Sequence, residues 1–297
     1  MNPIVDIQNV TRTFAGKTAL DGVSLSQEKG TVLGLVGENG SGKTTVIKHV
    51  LGLLKPDSGS VRVFGMDPVL DPVPVLAQIG YLSEEDILPG WMKIHELQRY
   101  MQGFYPTWDQ EYADQLLREF DLDRNAKLLS LSKGQRARAG LMAALAYRPE
   151  LLLLDEPSSG LDPIVRRDIL GAIVRTIAEE GRTVLFSSHL LGEVDRVADR
   201  VAMIKNGKIV FCESLDELKE AHLELTLVFE NSRPVPPRFA GAVASSGQGR
   251  EWSVVFKGNS TDAQTAAAGI DATVAEHRWA SLDEIFVAYS RPTGGQE

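Results

Sequence analysis

Continuous apolar runs of strand length and stretches of helical period alternate along most of this chain. Residues 31–36, 151–154 and 183–188 are runs of the first kind, the pattern of strands buried on both faces. Residues 4–10 and 20–26 read as strands of an antiparallel edge sheet, which 61–64 continue. Residues 45–54 read as a helix, and so do 164–178, with apolar residues at 164, 165, 169, 170, 173, 174 and 177 and a stop at Gly181. Asn206-Gly207, flanked by apolar 201–204 and 208–211, predicts a hairpin with a two-residue turn. The stretch 86–147 is helix-rich: Thr107 and Gln110 suggest a capping box, and Ser132 is a candidate N-cap for the alanine-rich segment 136–147. From about residue 222 the texture changes. Strands at 223–229 and 252–256 are separated by a Pro-, Gly- and Ser-rich loop, with helices at 261–268 and 281–289, the latter opened by Ser281 and Glu284 as a capping box.

These elements predict an α/β domain over 1–220, with a helical subdomain at about 86–147. A small α+β accessory domain follows at 221–290, and then a disordered tail at 291–297. A chain of 297 residues with 43% apolar content can hold one domain of about 200 to 220 residues and a smaller one. Its net charge of −9 lacks the basic footprint that a nucleic-acid backbone requires. The single cysteine, Cys212, excludes an intramolecular disulfide and reads as a buried small hydrophobe; the five histidines show no metal-ligand spacing. No run of eighteen apolar residues exists, and residues 1–10 read as strand rather than signal peptide, so a soluble cytoplasmic chain is expected.

Candidate chemistry concentrates at two places. Gly37-Glu38-Asn39-Gly40-Ser41-Gly42-Lys43-Thr44 joins a predicted strand to a predicted helix that begins at Thr45, which is counted in the same set. G-x-x-x-x-G-K-[ST] wraps backbone N–H groups around nucleotide phosphates, with the lysine reaching the β- and γ-phosphates and the Thr44 hydroxyl available to Mg²⁺. The apolar run 151–154 ends in Asp155 and Glu156: the first is a candidate Mg²⁺ ligand, and the second a candidate general base that polarises the attacking water.

Between these motifs lies Leu131-Ser132-Lys133-Gly134-Gln135, and here the chain resembles the ATP-binding subunits of ABC transporters. The segment matches their LSGGQ signature except for Lys133, a tolerated variant. Ser159-Gly160-Leu161-Asp162 resembles the D-loop of that family, and His189 its switch histidine. The resemblance spans about residues 4–212. It implies a P-loop NTPase fold of the ABC type, made of an antiparallel edge sheet, an α/β core and a helical subdomain. It further implies ATP and Mg²⁺ as cofactors, with Glu156 and His189 acting in hydrolysis. Phe14 stands where the family stacks a ring on adenine, although as a lone aromatic it reads equally as core. Glu84 takes the position of the usual Q-loop glutamine, where it is either a Mg²⁺ ligand through water or, with Glu85, a solvated loop charge.

In the resembled family two subunits sandwich two ATP molecules. Ser132, Gly134, Gln135 and Asp162 would then serve the partner's nucleotide, the partner being a second copy or a homologous subunit. The resemblance to export and drug-resistance ATPase subunits implies a separate multi-span membrane permease, export as the direction, no nucleic-acid partner, and a peripheral place on the cytoplasmic face of the membrane. Trp91, Tyr100, Phe104, Tyr105 and Trp108 are candidates for docking that permease, or core residues. The accessory domain reads as a regulatory or dimer-supporting module, or as a stabilising cap. The rival function is a soluble ABC ATPase acting on ribosomes or DNA, whose usual features, paired nucleotide-binding domains, an inserted coiled coil or basic surfaces, are not seen in this sequence.

Overall fold

Apolar strands that must be covered on both faces dictate the architecture of the first part of the chain. The computed structural model describes residues 3–84 and 88–290, except for the side chains at 172, 173 and 175–180. The chain separates into two compact units, Met1–Cys212 and Glu213–Glu297. Glu85, the expected start of the helical subdomain at residue 86, and the expected tail 291–297 lie outside the described residues.

In chain order come β1 (Val5–Phe14), β2 (Lys17–Gln27), β3 (Val32–Val36), α1 (Lys43–Val50), β4 (Ser58–Val63), α2 (Pro72–Leu76) and β5 (Ile79–Leu82). Next are α3 (Ile94–Gln102), α4 (Gln110–Glu119), α5 (Lys133–Leu145), β6 (Leu151–Asp155), α6 (Pro163–Glu180), β7 (Thr183–Ser188), α7 (Leu191–Val197), β8 (Arg200–Lys205) and β9 (Lys208–Ser214). Strands β2-β1-β4 form the antiparallel edge sheet, while a six-stranded sheet has the order β5-β6-β7-β3-β8-β9. In it β5, β6, β7, β3 and β8 run parallel, and Leu151 to Leu154 of β6 are sealed from solvent, which explains their unbroken apolar run. Each leucine so buried contributes about 1.5–3 kcal/mol. The hairpin between β8 and β9 turns through Asn206 and Gly207, both at positive φ.

Strand order is what builds a site. It sets the carboxyl ends of β3, β6 and β7 side by side, with Val36 opposite Ser188 and Asp155 opposite Ser187. Ligands in open parallel sheets bind at such carboxyl ends.

Several local expectations change. Asp109, not Thr107, caps α4, accepting from Tyr112 N at 2.9 Å; Thr107 instead donates to the Tyr147 carbonyl, and Gln110 accepts from the Trp108 indole. Asp and Thr are both good caps, and the Thr107 hydroxyl is diverted by a tertiary partner forty residues away. Cys212 is half-buried against the core rather than enclosed, with the Arg200 guanidinium 3.6 Å from its sulfur. The α6 pattern is only partly a core stripe, since Val165, Ile169 and Leu170 are buried while Ile164 and Val174 are exposed.

The second unit contains α8 (Leu215–Glu220), β10 (His222–Arg233), β11 (Ala242–Lys257), α9 (Ser260–Ala268), β12 (Ala272–Trp279) and α10 (Leu282–Ser290). Its antiparallel sheet has the order β11-β10-β12, so a third strand joins the two expected, and β11 takes up part of the expected loop. Leu223, Leu225, Leu227 and Phe229 alternate along β10 into a core shared with Trp252, Val254 and Phe256. The Ser281–Glu284 capping box forms in both directions, and the Arg278 guanidinium draws the Glu284 carboxyl down to about 2.

His222 is fully buried at the start of β10. Its Nδ1 donates to the Leu218 carbonyl at 2.7 Å, leaving Nε2 to accept from the Tyr289 hydroxyl at 3.1 Å. Burial holds its pKa below the ordinary histidine value. The folded state therefore binds fewer protons than the unfolded one, and the stability this group contributes is present above about pH 6.5 and lost as pH falls through the folded value. Urea unfolding of the second unit should show a fall in stability from pH 7.5 to 5.5. His222→Gln, which keeps one donor and one acceptor but cannot charge, should shrink that fall; an equal fall in the variant would contradict the account.

Candidate active site

Two glycines of the loop between β3 and α1, Gly37 and Gly42, have no room for a side chain. Gly42 sits at φ 117° directly before α1, and a Cβ there would lie 2.8 Å from the Ala19 carbonyl oxygen. Helix α1 starts with no side-chain cap, which leaves its amides for an outside acceptor. Ser41 Oγ is buried with no hydrogen-bond partner. A cradle of amides with an orphaned hydroxyl fits an anionic phosphate chain, so the residues present suit a nucleotide.

Lys43 is buried, with 5% of its side chain exposed, and its ammonium donates to the Gly37 and Glu38 carbonyls at 2.7 and 3.2 Å. It also lies 3.0 Å from Glu156 Oε1. Glu156, itself only 6% exposed, has positive φ (48°), a strained conformation for a residue with a side chain. Its other oxygen, Oε2, accepts from His189 Nδ1 at 2.6 Å and from the His189 backbone N–H at 3.3 Å. At 3.0 Å and an effective dielectric of about 20, the Lys43 pair gains about 5 kcal/mol of attraction. Desolvating the two ions costs several kcal/mol each, so the pair positions the carboxylate rather than adding net stability.

Asp155 Oδ1 accepts from Ser187 Oγ at 2.7 Å and from Thr44 Oγ1 at 3.1 Å, and Ser187 Oγ accepts in turn from the Glu156 N–H. Burial raises the Asp155 pKa against these hydrogen bonds, and the nearby carboxylates of Glu156 and Glu84 raise it further. Asp155 with the Thr44 hydroxyl on its Oδ1 offers oxygens that suit Mg²⁺, a hard cation that takes one or two protein oxygens and completes its shell with water and phosphate. Among the described residues no group of three or more His, Cys, Asp or Glu side chains is gathered to hold a metal ion.

The first motif, Asp155, Glu156 and His189 thus form one contact network. The remaining candidates do not join it. Ser132 caps α5: its Oγ accepts from the Gln135 N–H at 3.2 Å, and Gln135 Oε1 accepts from the Ser132 N–H at 3.0 Å, so each side chain is engaged with the other residue's backbone. Gly134 packs against Val165 of α6, where a Cβ would lie 2.7 Å from the valine Cγ2. Asp162 caps α6 through the N–H groups of Ile164 and Val165. Among the described residues no hydrogen bond or ion pair links Ser132, Gly134, Gln135 or Asp162 to Lys43, Asp155 or Glu156. Phe14 is 40% exposed at the end of β1, with the Arg12 guanidinium over its ring, so the ring is not core. Glu84 is exposed and coupled to Asp155 through charge. Ser187 was not legible as a site residue; its only signal was a hydroxyl at the end of an apolar strand.

The aromatic residues separate into two groups. Trp108 is buried and Tyr105 stacks on Tyr147, whereas Trp91, Tyr100 and Phe104 are exposed, the last two in ring contact with each other. Tyr100 lines a groove of about 610 Å³ with Leu53, Leu76, Tyr81, Leu97 and Tyr105.

Residues 20–159 match the sequence model of the family described as ABC transporter. ABC transporter ATP-binding protein YtrB of Bacillus subtilis is 27% identical over 96% of this chain and 97% of its own length. Daunorubicin/doxorubicin resistance ATP-binding protein DrrA of Streptomyces peucetius is 35% identical over 73% of this chain and 67% of its own. Among solved structures, an ATP-binding subunit of an ABC transporter superposes with TM-score 0.67 at 26% identity, covering 73% of this chain and 92% of that one. A dimeric ATP-binding cassette in a post-hydrolysis state, bound to ADP and Pi, gives 0.65 at 26%, covering 71% and 98%.

If Lys43 compensates Glu156, replacing it strands a buried charge. Lys43→Met should destabilise the first unit of the nucleotide-free chain by about 3–5 kcal/mol in urea unfolding. Glu156→Gln should cost less, and the double variant should recover most of the Lys43→Met loss. Additive losses would contradict the pairing.

Proposed function

We propose, from the premise that this chain belongs to the ABC transporter family, that it is the energy-coupling subunit of an exporter, driving a separately encoded membrane permease by binding and hydrolysing ATP. It is an ATPase of that family. Single observations support the finer parts. The hydrolytic role of Glu156 is carried by its place at the end of β6, buried and held between Lys43 and His189.

Phosphates in the 37–44 loop would draw the Lys43 ammonium from Glu156 Oε1, which lies 3.0 Å away in the chain alone. The carboxylate would then be free to accept a proton from the attacking water, with His189 still holding its other oxygen. Thr44 and Asp155 would hold Mg²⁺, with Glu84 reaching it through water. Bound there, the ion would supply positive charge to offset the charge that develops on the phosphates. Among the described residues no hydrogen bond or ion pair links Ser132 or Gly134, the residues resembling the signature, to this network, which supports a second subunit completing each site. Gln135 and Asp162 belong to the same outward set.

Export is favoured by the similarity to DrrA of Streptomyces peucetius, described as a daunorubicin/doxorubicin resistance protein, and to the bacitracin transport protein BcrA of Bacillus licheniformis. Among the described residues no helix is long and apolar enough to cross a membrane, so the translocation path would come from the permease. The exposed Tyr100, which lines the apolar groove, and the exposed Phe104 in ring contact with it support that surface as the docking face, which would place the subunit on the cytoplasmic side.

Glu156→Gln should lower ATP turnover by about 10²- to 10⁴-fold. The tagged variant, purified from detergent-solubilised native cells with Mg-ATP, should bring down a multi-span membrane protein; ribosomes or nucleic acid without one would contradict the transporter reading. Glu84 adds charge where Mg²⁺ and phosphates meet, so Glu84→Gln should weaken the dependence of ATP affinity on Mg²⁺. An unchanged Mg²⁺ titration would remove Glu84 from the metal site.

A further inference from the structure

Glu193 is the one buried side chain of α7 that carries charge, with 4% of the residue exposed. Its Oε2 accepts from Ser158 Oγ at 2.7 Å and from Ser188 Oγ at 3.1 Å. Its Oε1 lies 3.4 Å from Arg166 Nε, a charge contact in which neither atom makes a hydrogen bond, and Arg166 donates through another nitrogen to the Leu161 carbonyl. Each partner belongs to a segment that carries a site residue. Ser158 lies two residues beyond Glu156, and Ser188 immediately precedes His189. Leu161 immediately precedes Asp162, and Arg166 lies in the first turns of α6. Ser188 Oγ also accepts from the Leu190 N–H at 3.0 Å, so the turn carrying His189 is braced on both sides.

A buried carboxylate is costly unless its oxygens are satisfied, and a structural role alone does not explain why its hydroxyl partners flank Glu156 and His189. We infer that Glu193 is a positioning residue for hydrolysis: it fixes the segment after Glu156 and the turn bearing His189 against each other, and so sets the Glu156 Oε2 to His189 Nδ1 contact. It touches neither reacting atoms nor phosphates. Removing it should loosen that contact while leaving the 37–44 loop intact, because no hydrogen bond or ion pair joins Glu193 to the loop among the described residues. The inference rests on reading Glu156 and His189 as the hydrolytic pair.

The test uses the full-length chain with ATP, comparing steady-state kcat and KM with single-turnover release of labelled phosphate. Glu193→Ala should lower kcat about tenfold or more with KM within about twofold, the signature of lost transition-state positioning rather than lost binding. Glu193→Gln, which keeps an acceptor oxygen, should recover part of the rate. In a His189→Ala background Glu193→Ala should add less than about twofold, because both changes disable the same contact. Ser158→Ala combined with Ser188→Ala should reproduce the kcat loss, and carries the test should Glu193→Ala not fold. An unchanged kcat in the folded variants, or the same fold-loss with and without His189, would overturn the inference while leaving the hydrolytic reading in place. Turnover undiminished by Glu156→Gln would overturn that reading, and this inference with it.

Discussion

Two adjacent carboxylates end an apolar strand inside the sheet, and their burial is the constraint around which the first unit is arranged. Asp155 and Glu156 are each almost without solvent contact. Left alone, such charges would cost several kcal/mol apiece or take up protons. The compensation comes from segments far apart in the chain: Lys43 and Thr44 from the start of α1, and Ser187 and His189 from the end of β7. A parallel sheet is suited to this, because neighbouring strands deliver their following loops to the same edge.

The arrangement links stability to chemistry. The ammonium that neutralises Glu156 is the group that the phosphate-loop pattern directs to phosphate, so in the proposed function one cation would serve the folded protein and the bound nucleotide in turn. Glu156 at positive φ fits the same view, since strained backbone persists only where surrounding contacts over-determine it. Its amide is held by Ser187, its carboxylate by Lys43 and His189.

The sequence revealed most where the chemistry is contiguous. The 37–44 loop and the Leu151–Asp155 strand are local patterns whose geometry follows from neighbours, and the edge sheet and α/β core follow from their periodicity. Long-range contacts were not legible. Glu193 reads in the sequence as an ordinary acidic residue of a short helix, and only the fold brings Ser158 and Ser188 to it. Strand β12 was hidden because nearly all of its side chains are exposed or half-buried, leaving no apolar alternation to detect. The Thr107 hydroxyl looked like a cap and was drawn to Tyr147 instead, and the aromatic cluster divided into core and surface according to which face of α3 and its following loop met the interior.

The central claim is that one chain holds only half of each catalytic site, with Lys43 and Glu156 on one side and the segment at Ser132 supplied by another copy. Complementation tests it directly. Lys43→Ala disables the phosphate loop, and Ser132→Asp retains a good N-cap while setting a negative charge where the partner's phosphates would lie. Each variant alone should be inactive, and mixing them should restore ATP turnover, because one site in the mixed dimer combines the intact halves. A mixture as inactive as its components, at concentrations where the wild-type chain turns over ATP, would contradict the shared site.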